Sequence, residues 1–246
     1  MGVLSSRTAS CALKEAMRNW FTPIAISVAA CAVSAHAAPP RHAEITYELL
    51  RDGNSVAQIV DRFEHDAKTY SLTETWKGDG LYALLGKAVR TSRGIVGRDG
   101  LRPLEFEDQR TGRATARATF DWNAKTLTLQ YQGAPETRPL PPHAQDKLSF
   151  AFDFAFEVPD GKPVTVNAAD GKGVATYVYQ AAGRERVKTP AGEFEALKLV
   201  KRKDGPGDDG TEIWLAADRG YLPVRILVTE KDGSRIDQVA TRLATQ

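Results

Sequence analysis

The stretch Thr91-Ser92-Arg93-Gly94-Ile95-Val96-Gly97-Arg98-Asp99-Gly100-Leu101-Arg102-Pro103-Leu104-Glu105-Phe106 reads as a strand end, a turn opened by Asp99-Gly100, and a second strand begun at a proline. Glycine reaches positive φ without a Cβ penalty, and proline is accepted at the first residue of a strand. A related phrase, Gly220-Tyr221-Leu222-Pro223-Val224-Arg225-Ile226, returns late in the chain. Both follow a β-prone run, and both set Pro three residues after Gly before apolar and charged residues alternate. The pattern predicts β-hairpins organised around two such corners.

Working outward, the same period of two recurs. Ile45, Tyr47 and Leu49 alternate with Thr46, Glu48 and Leu50, and turn signals follow at Asp52-Gly53-Asn54, Asp66-Ala67-Lys68 and Gly78-Asp79-Gly80. Runs of this kind predict a β-meander. Leu81–Leu85 reads as a further strand, and the proline-rich segment 133–142 as an irregular connection. Asp146 to Phe156 is ambiguous, because Leu148 and the four phenylalanines Phe150, Phe152, Phe154 and Phe156 fit both a strand face and helical spacing. The preceding prolines and polar Gln145-Asp146 favour a helix start. Beyond Pro163 hairpins resume, with turns at 170–173 and at Thr189-Pro190-Ala191-Gly192. The expected fold is mainly β: one large antiparallel, strongly curved sheet or open barrel, with one short helix near 145–156. A sheet of ten or more strands must curl or close to hide its edges.

The first 37 residues read differently. Arg7, Lys14 and Arg18 precede an apolar run from Trp20 to about Val33, then Ala35-His36-Ala37. This is the pattern of a secretory signal peptide cleaved after Ala37, which predicts a periplasmic protein. Residues 38–43 would be a short extension, and 44–246 a single β-rich domain. Cys31, after Val28-Ala29-Ala30, offers the alternative of a lipid anchor; the apolar run continuing past it favours ordinary cleavage. Cys11 and Cys31 are the only cysteines, so the mature domain would rest on its hydrophobic core without a disulfide. The apolar run is too short to span a bilayer comfortably, and no transmembrane span is expected in the mature chain.

Removing that leader changes the charge balance. It carries three Lys/Arg and one Asp/Glu, so the 33 basic and 31 acidic residues of the whole chain reduce to 30 of each. A neutral domain lacks the basic face of a nucleic-acid binder, and no nucleic acid is expected as a partner.

The search for chemistry returns little. His42, His65 and His143 lie far apart, and no paired-cysteine or His-Glu-x-x-His spacing exists, so no metal site, cofactor or catalytic residue is assigned. Gly205-Pro206-Gly207-Asp208-Asp209-Gly210 lacks the spaced acids of a calcium loop. The aromatics carry what remains. Trp76, Trp122, Trp214, Phe150 and Phe154 are candidates to line an apolar cavity in the curled sheet, with Arg93 placed to meet an anionic headgroup. The alternative is that these rings are plain core.

With these residues in view, the chain resembles a bacterial exported family known as domain of unknown function 3108. The landmarks are Gly100-Leu101-x-Pro103-x-x-Phe106, Phe120-Asp121-Trp122, Gln145-Asp146-x-Leu148-Ser149, Thr189-Pro190-Ala191-Gly192-x-Phe194, and Trp214-Leu215-Ala216 before Leu222-Pro223-Val224. The resemblance implies a periplasmic, mostly β protein and brings no activity with it. The phrase from Trp214 to Arg225 is also similar to repeated phrases in the curved half-barrels of periplasmic lipoprotein-carrier proteins. Two function classes follow. One is a non-catalytic envelope protein that binds a lipid, another apolar ligand or an envelope partner. The other is an envelope hydrolase acting on cell-wall or polysaccharide material.

Overall fold

The computed structural model describes residues 39–246, except 160, 204 and 206; the expected signal peptide, with Cys31, lies outside the described residues. The first hairpins form a run of neighbours: β1 (His42–Arg51), β2 (Asn54–His65), β3 (Thr69–Gly78), β4 (Lys87–Gly97), β5 (Gly100–Arg110), β6 (Ala116–Asp121), β7 (Thr126–Gln130) and β8 (Glu136–Pro139). Then come β9 (Ala144–Asp146), helix α1 (Ser149–Asp153), β10 (Val164–Ala169), β11 (Val174–Thr189), β12 (Gly192–Lys201), β13 (Gly210–Ala216), β14 (Leu222–Thr229) and β15 (Arg235–Thr245). All fifteen strands join one sheet in the order β8-β7-β6-β5-β4-β3-β2-β1-β15-β14-β13-β12-β11-β10-β9. The single curved sheet with one short helix is thus borne out.

Four local expectations change. Leu81–Leu85 is not a strand; Gly80–Leu85 is a 3-10 helix, bracketed by Gly80 and Gly86 at positive φ (54° and 79°). The proline-rich segment contributes the short edge strand β8. The turn at the opening corner consists of Arg98-Asp99, and Gly100 already pairs with Gly97. Finally, β9 and β10 pair in parallel, whereas every other pair is antiparallel. A parallel pair needs a crossover of a dozen or more residues, and the chain from 147 to 163, which holds α1, supplies it.

The two corners share a construction. Arg93 pairs with Glu105 and Gly94 with Pro103, leaving Leu104 as an extra residue in β5. Trp214 pairs with Arg225 and Leu215 with Pro223, leaving Val224 as an extra residue in β14. Each corner therefore carries a β-bulge at the residue after its proline, which bends the strand and increases its twist. The proline carbonyls take side-chain donors: Trp122 Nε1 donates to Pro103 O (2.7 Å), and the buried Tyr47 hydroxyl donates to Pro223 O (2.7 Å).

Curvature brings β9, at one end of the sheet order, against β5. Gln145 Nε2 donates to Leu101 O (2.7 Å), and Leu101 N donates to Asp153 Oδ1 (2.6 Å). The turn between β10 and β11 approaches β6, where a Cβ on Gly171 would overlap the Arg117 backbone. Among the described residues no ladder joins β8 to β9, so the sheet is not closed into a complete barrel.

Candidate functional site

Period-two alternation sends Ile59, Asp61 and Phe63 of β2 to one face, and Leu72, Glu74 and Trp76 of β3 to the same face. Register then aligns a line of charge across four strands. Asp61 is directly opposite Glu74, Glu74 opposite Arg90, and Arg90 opposite Asp108. Arg90 donates to Glu74 Oε1 (2.8 Å) and to Asp108 Oδ2 (3.2 Å), and Arg110 donates to Asp108 Oδ2 (2.7 Å). Trp76 Nε1 also donates to Glu74 Oε1 (2.5 Å), with the Arg90 guanidinium 5.1 Å from its ring centroid. Glu74 and Asp108 are thus each held by donors.

Asp61 is not. It is 3% exposed, and its Oδ1 has no hydrogen-bond partner. Burial first, and then the Glu74 charge, push its carboxyl well above the usual carboxylate range, so its neutral form is favoured.

Asp61, Glu74 and Arg90 form one wall of a cavity of about 360 Å³. Its apolar lining comes from Leu148, Phe150 and Phe152 on the α1 side and from Ile226 and Val228 of β14. Lys147 also lines it, and its ammonium pKa is lowered by desolvation and then by the Arg90 charge.

A buried latch holds α1 in place beside this cavity. Ser92 Oγ donates to Asp146 Oδ2 (2.5 Å), and so accepts from the Tyr70 hydroxyl (2.9 Å). Asp146 Oδ1 accepts the amides of Leu148 and Ser149 (2.8 Å each), and Ser149 Oγ donates to Gln145 Oε1 (2.7 Å). Burial raises the Asp146 carboxyl to about 6 and the Asp153 carboxyl to about 7. The Gln145-Asp146-x-Leu148-Ser149 phrase is therefore the fastening between α1 and the strands β3 to β5.

The six residues singled out from sequence separate. Trp76 and Phe150 line the cavity. Phe154 is buried behind Phe150 and packs edge-on against Phe150 and Tyr179. Trp122 is bound to the first corner, under the Arg102 guanidinium at 5.5 Å. Trp214 lies on the sheet face opposite Thr211, which lines the cavity; its ring meets Lys198 Nζ at 4.7 Å and Arg225 at 4.9 Å. Arg93 borders a separate, shallower depression with Leu104 and His65. Sequence reasoning missed Asp61, Glu74 and Arg90. The available signal was Asp61 standing where the alternation of β2 calls for an apolar residue, between Ile59 and Phe63.

Fold and cavity together define an open, barrel-like β protein with an internal, partly apolar pocket. The chain belongs to the family described as "Protein of unknown function (DUF3108)", which matches residues 43–240. No curated relative matches it by sequence. Among solved structures, it is similar to a β-barrel-like protein of domain of unknown function DUF1849 from Brucella abortus, at 11% identity and a TM-score of 0.56, over 85% of this chain and 99% of that one. A protein from Parabacteroides distasonis described as a lipoprotein is 13% identical, with a TM-score of 0.39, over 84% and 97% of the two chains. A protein from Bacteroides fragilis described as exported, with a YmcC-like fold, is 12% identical, with a TM-score of 0.38, over 85% and 98%. Only the first supports an argument, and that argument concerns the fold. Among the described residues no helix is long and apolar enough to cross a membrane.

Proposed function

We propose that this is an exported envelope protein that binds an amphipathic small molecule, such as a lipid, in the cavity beside α1. The observation that carries this reading is the unpartnered Asp61 Oδ1 in the charged wall of a cavity whose other side is lined by Leu148, Phe150, Ile226 and Val228. A buried polar group without a partner costs about 1–3 kcal/mol, and a ligand polar group placed there removes that cost. Small-molecule sites are mostly apolar, with a few fixed polar groups, and range over about 300–1,000 Å³; the cavity fits that description. The ligand's apolar part would lie along Leu148, Phe150, Ile226 and Val228, and its polar group would meet Asp61. Export rests on the leader pattern of residues 1–37.

Fatty acids and phospholipids titrated into the purified protein should change its tryptophan fluorescence saturably. Trp76→Phe should abolish the response, because Trp76 alone of the three tryptophans after the leader lines the cavity, and Trp122→Phe should keep it. Asp61→Leu should weaken binding. A response that survives Trp76→Phe, or no saturable response together with no lipid found by mass spectrometry after native purification, would overturn the assignment.

A further inference from the structure

Among the described residues, three of the four large apolar side chains that stand exposed fall within one six-residue segment. Leu81 is 84% exposed, Tyr82 45% and Leu84 85%, all in the 3-10 helix Gly80–Leu85 between β3 and β4. An apolar cluster held out to solvent is a mark of an interaction surface. This segment is held in shape. Tyr82 N donates to Asp79 O (2.9 Å) and Gly86 N to Ala83 O (3.2 Å). The turn after β5 buttresses it, because Lys87 N donates to Thr111 Oγ1 (3.0 Å) and Thr111 N to Lys87 O (3.0 Å).

The charges flanking it have one sign. Lys77 and Lys87 are directly opposite one another in the β3–β4 ladder, and both are exposed. Like charges in that relationship repel. Arg113, two residues beyond Thr111, is exposed as well. Among the described residues none of these three cations enters an ion pair, and the segment's one acid, Asp79, accepts a hydrogen bond from Ser55 Oγ at 3.3 Å. An anionic surface would relieve the Lys77–Lys87 repulsion and accept the leucines together. Trp76, which lines the cavity, immediately precedes Lys77.

We propose that the Lys77–Lys87 segment docks the protein onto an anionic lipid surface, with Leu81 and Leu84 inserted among the lipids and Lys77, Lys87 and Arg113 against their headgroups. Apolar insertion combined with cationic contact is how peripheral segments hold a membrane. The proposal goes beyond ligand binding in the cavity and does not depend on what fills it.

Vesicle co-sedimentation of the purified protein tests this, using vesicles of phosphatidylcholine alone and of phosphatidylcholine mixed with phosphatidylglycerol. Binding is expected to the mixed vesicles, weakened by salt. Leu81→Ser combined with Leu84→Ser should reduce it about tenfold or more, and Lys77→Gln combined with Lys87→Gln should weaken both the binding and its salt dependence, with Arg113 left as the one cation. Both double variants change exposed side chains, so their denaturant midpoints should match the parent and show that the loss does not come from unfolding. Absence of binding to either vesicle, equal binding to both, or undiminished binding by the leucine variant would overturn the proposal. Concentration-dependent dimerisation abolished by the leucine variant, without vesicle binding, would assign the patch instead to a second copy of the chain.

Discussion

Asp61 and Glu74 face each other across β2 and β3, yet only Glu74 is held by donors, from Arg90 and Trp76. Two adjacent carboxyls in a buried site do not both ionise readily, and burial and then the Glu74 charge raise the pKa of the one without a donor. The register of the sheet has thus set one acid without a donor into a wall of otherwise paired charge.

The first prediction concerns that acid. Because the folded-state pKa of Asp61 is raised, its contribution to stability is complete below the unfolded value near 4 and is lost as pH rises. Asp61→Asn should therefore raise the free energy of unfolding at pH 8, by on the order of 1–3 kcal/mol, and change it little at pH 4, as read from denaturant titrations. An equal effect at the two pH values would contradict the assignment.

The latch gives a second pH dependence. Asp146 at about 6 and Asp153 at about 7 both lie above an unfolded value of about 3.9. Their contribution is full below about pH 4 and is lost as pH rises through 6 and 7. Asp66, Glu107, Asp108 and Asp232 are lowered instead, Asp66 by the Thr69 amide and Glu107 by Arg117 before other causes. Their contributions fade on acidification below about pH 4. Stability should peak in mildly acid solution and fall by a few kcal/mol toward pH 8. Asp153→Asn, which can still accept the Leu101 amide, should flatten that fall in a series of thermal melts.

Gly100 tests the opening corner. Its φ is 100°, and a Cβ there would overlap Asp153 Oδ1; Gly112, at φ 70°, has open space around it. Gly112→Ala should cost about 1 kcal/mol from backbone strain alone. Gly100→Ala should cost about 3 kcal/mol or more, since it also breaks the Leu101–Asp153 contact. Equal denaturant midpoints for the two variants would refute this difference.

The second corner has its own test. Removing the Tyr47 hydroxyl leaves the Pro223 carbonyl in its bulge without that donor, and Tyr47→Phe should destabilise by about 1–3 kcal/mol. Combined with Gly112→Ala on another hairpin, the effect should add to within about 0.5 kcal/mol.

The leader is tested by mass. On the proposed export with cleavage after Ala37, protein recovered from the envelope should begin at Ala38. A diacylglyceryl-bearing chain that starts at Cys31 would show the anchored form instead.

Much of the fold was legible locally. Period-two runs, Asp-Gly and Pro-Ala-Gly turns and the paired Gly-x-x-Pro corners are short-range signals, and each hairpin follows from them without knowledge of distant residues. The leucine-rich run at 81–85 misled, because apolar character suggested a strand while Gly80 and Gly86 held the backbone in a turn. The site was less legible. Trp214 and Trp76 look equivalent in the sequence, but the alternation of β13 turns Trp214 to the face away from the cavity.

The sequence by itself determined most of the strands and the corner glycines and prolines, and it favoured the short helix, because backbone preference and side-chain alternation act over a few residues. The tertiary structure alone decided that Asp61, Glu74, Arg90 and Asp108 form one line. It also decided that Leu101 meets Gln145 and Asp153, some 44 to 52 residues away. Both depend on strand register and on how far the sheet curls. Those are fixed by the bulges and by the packing of the whole inner face, which no short stretch encodes.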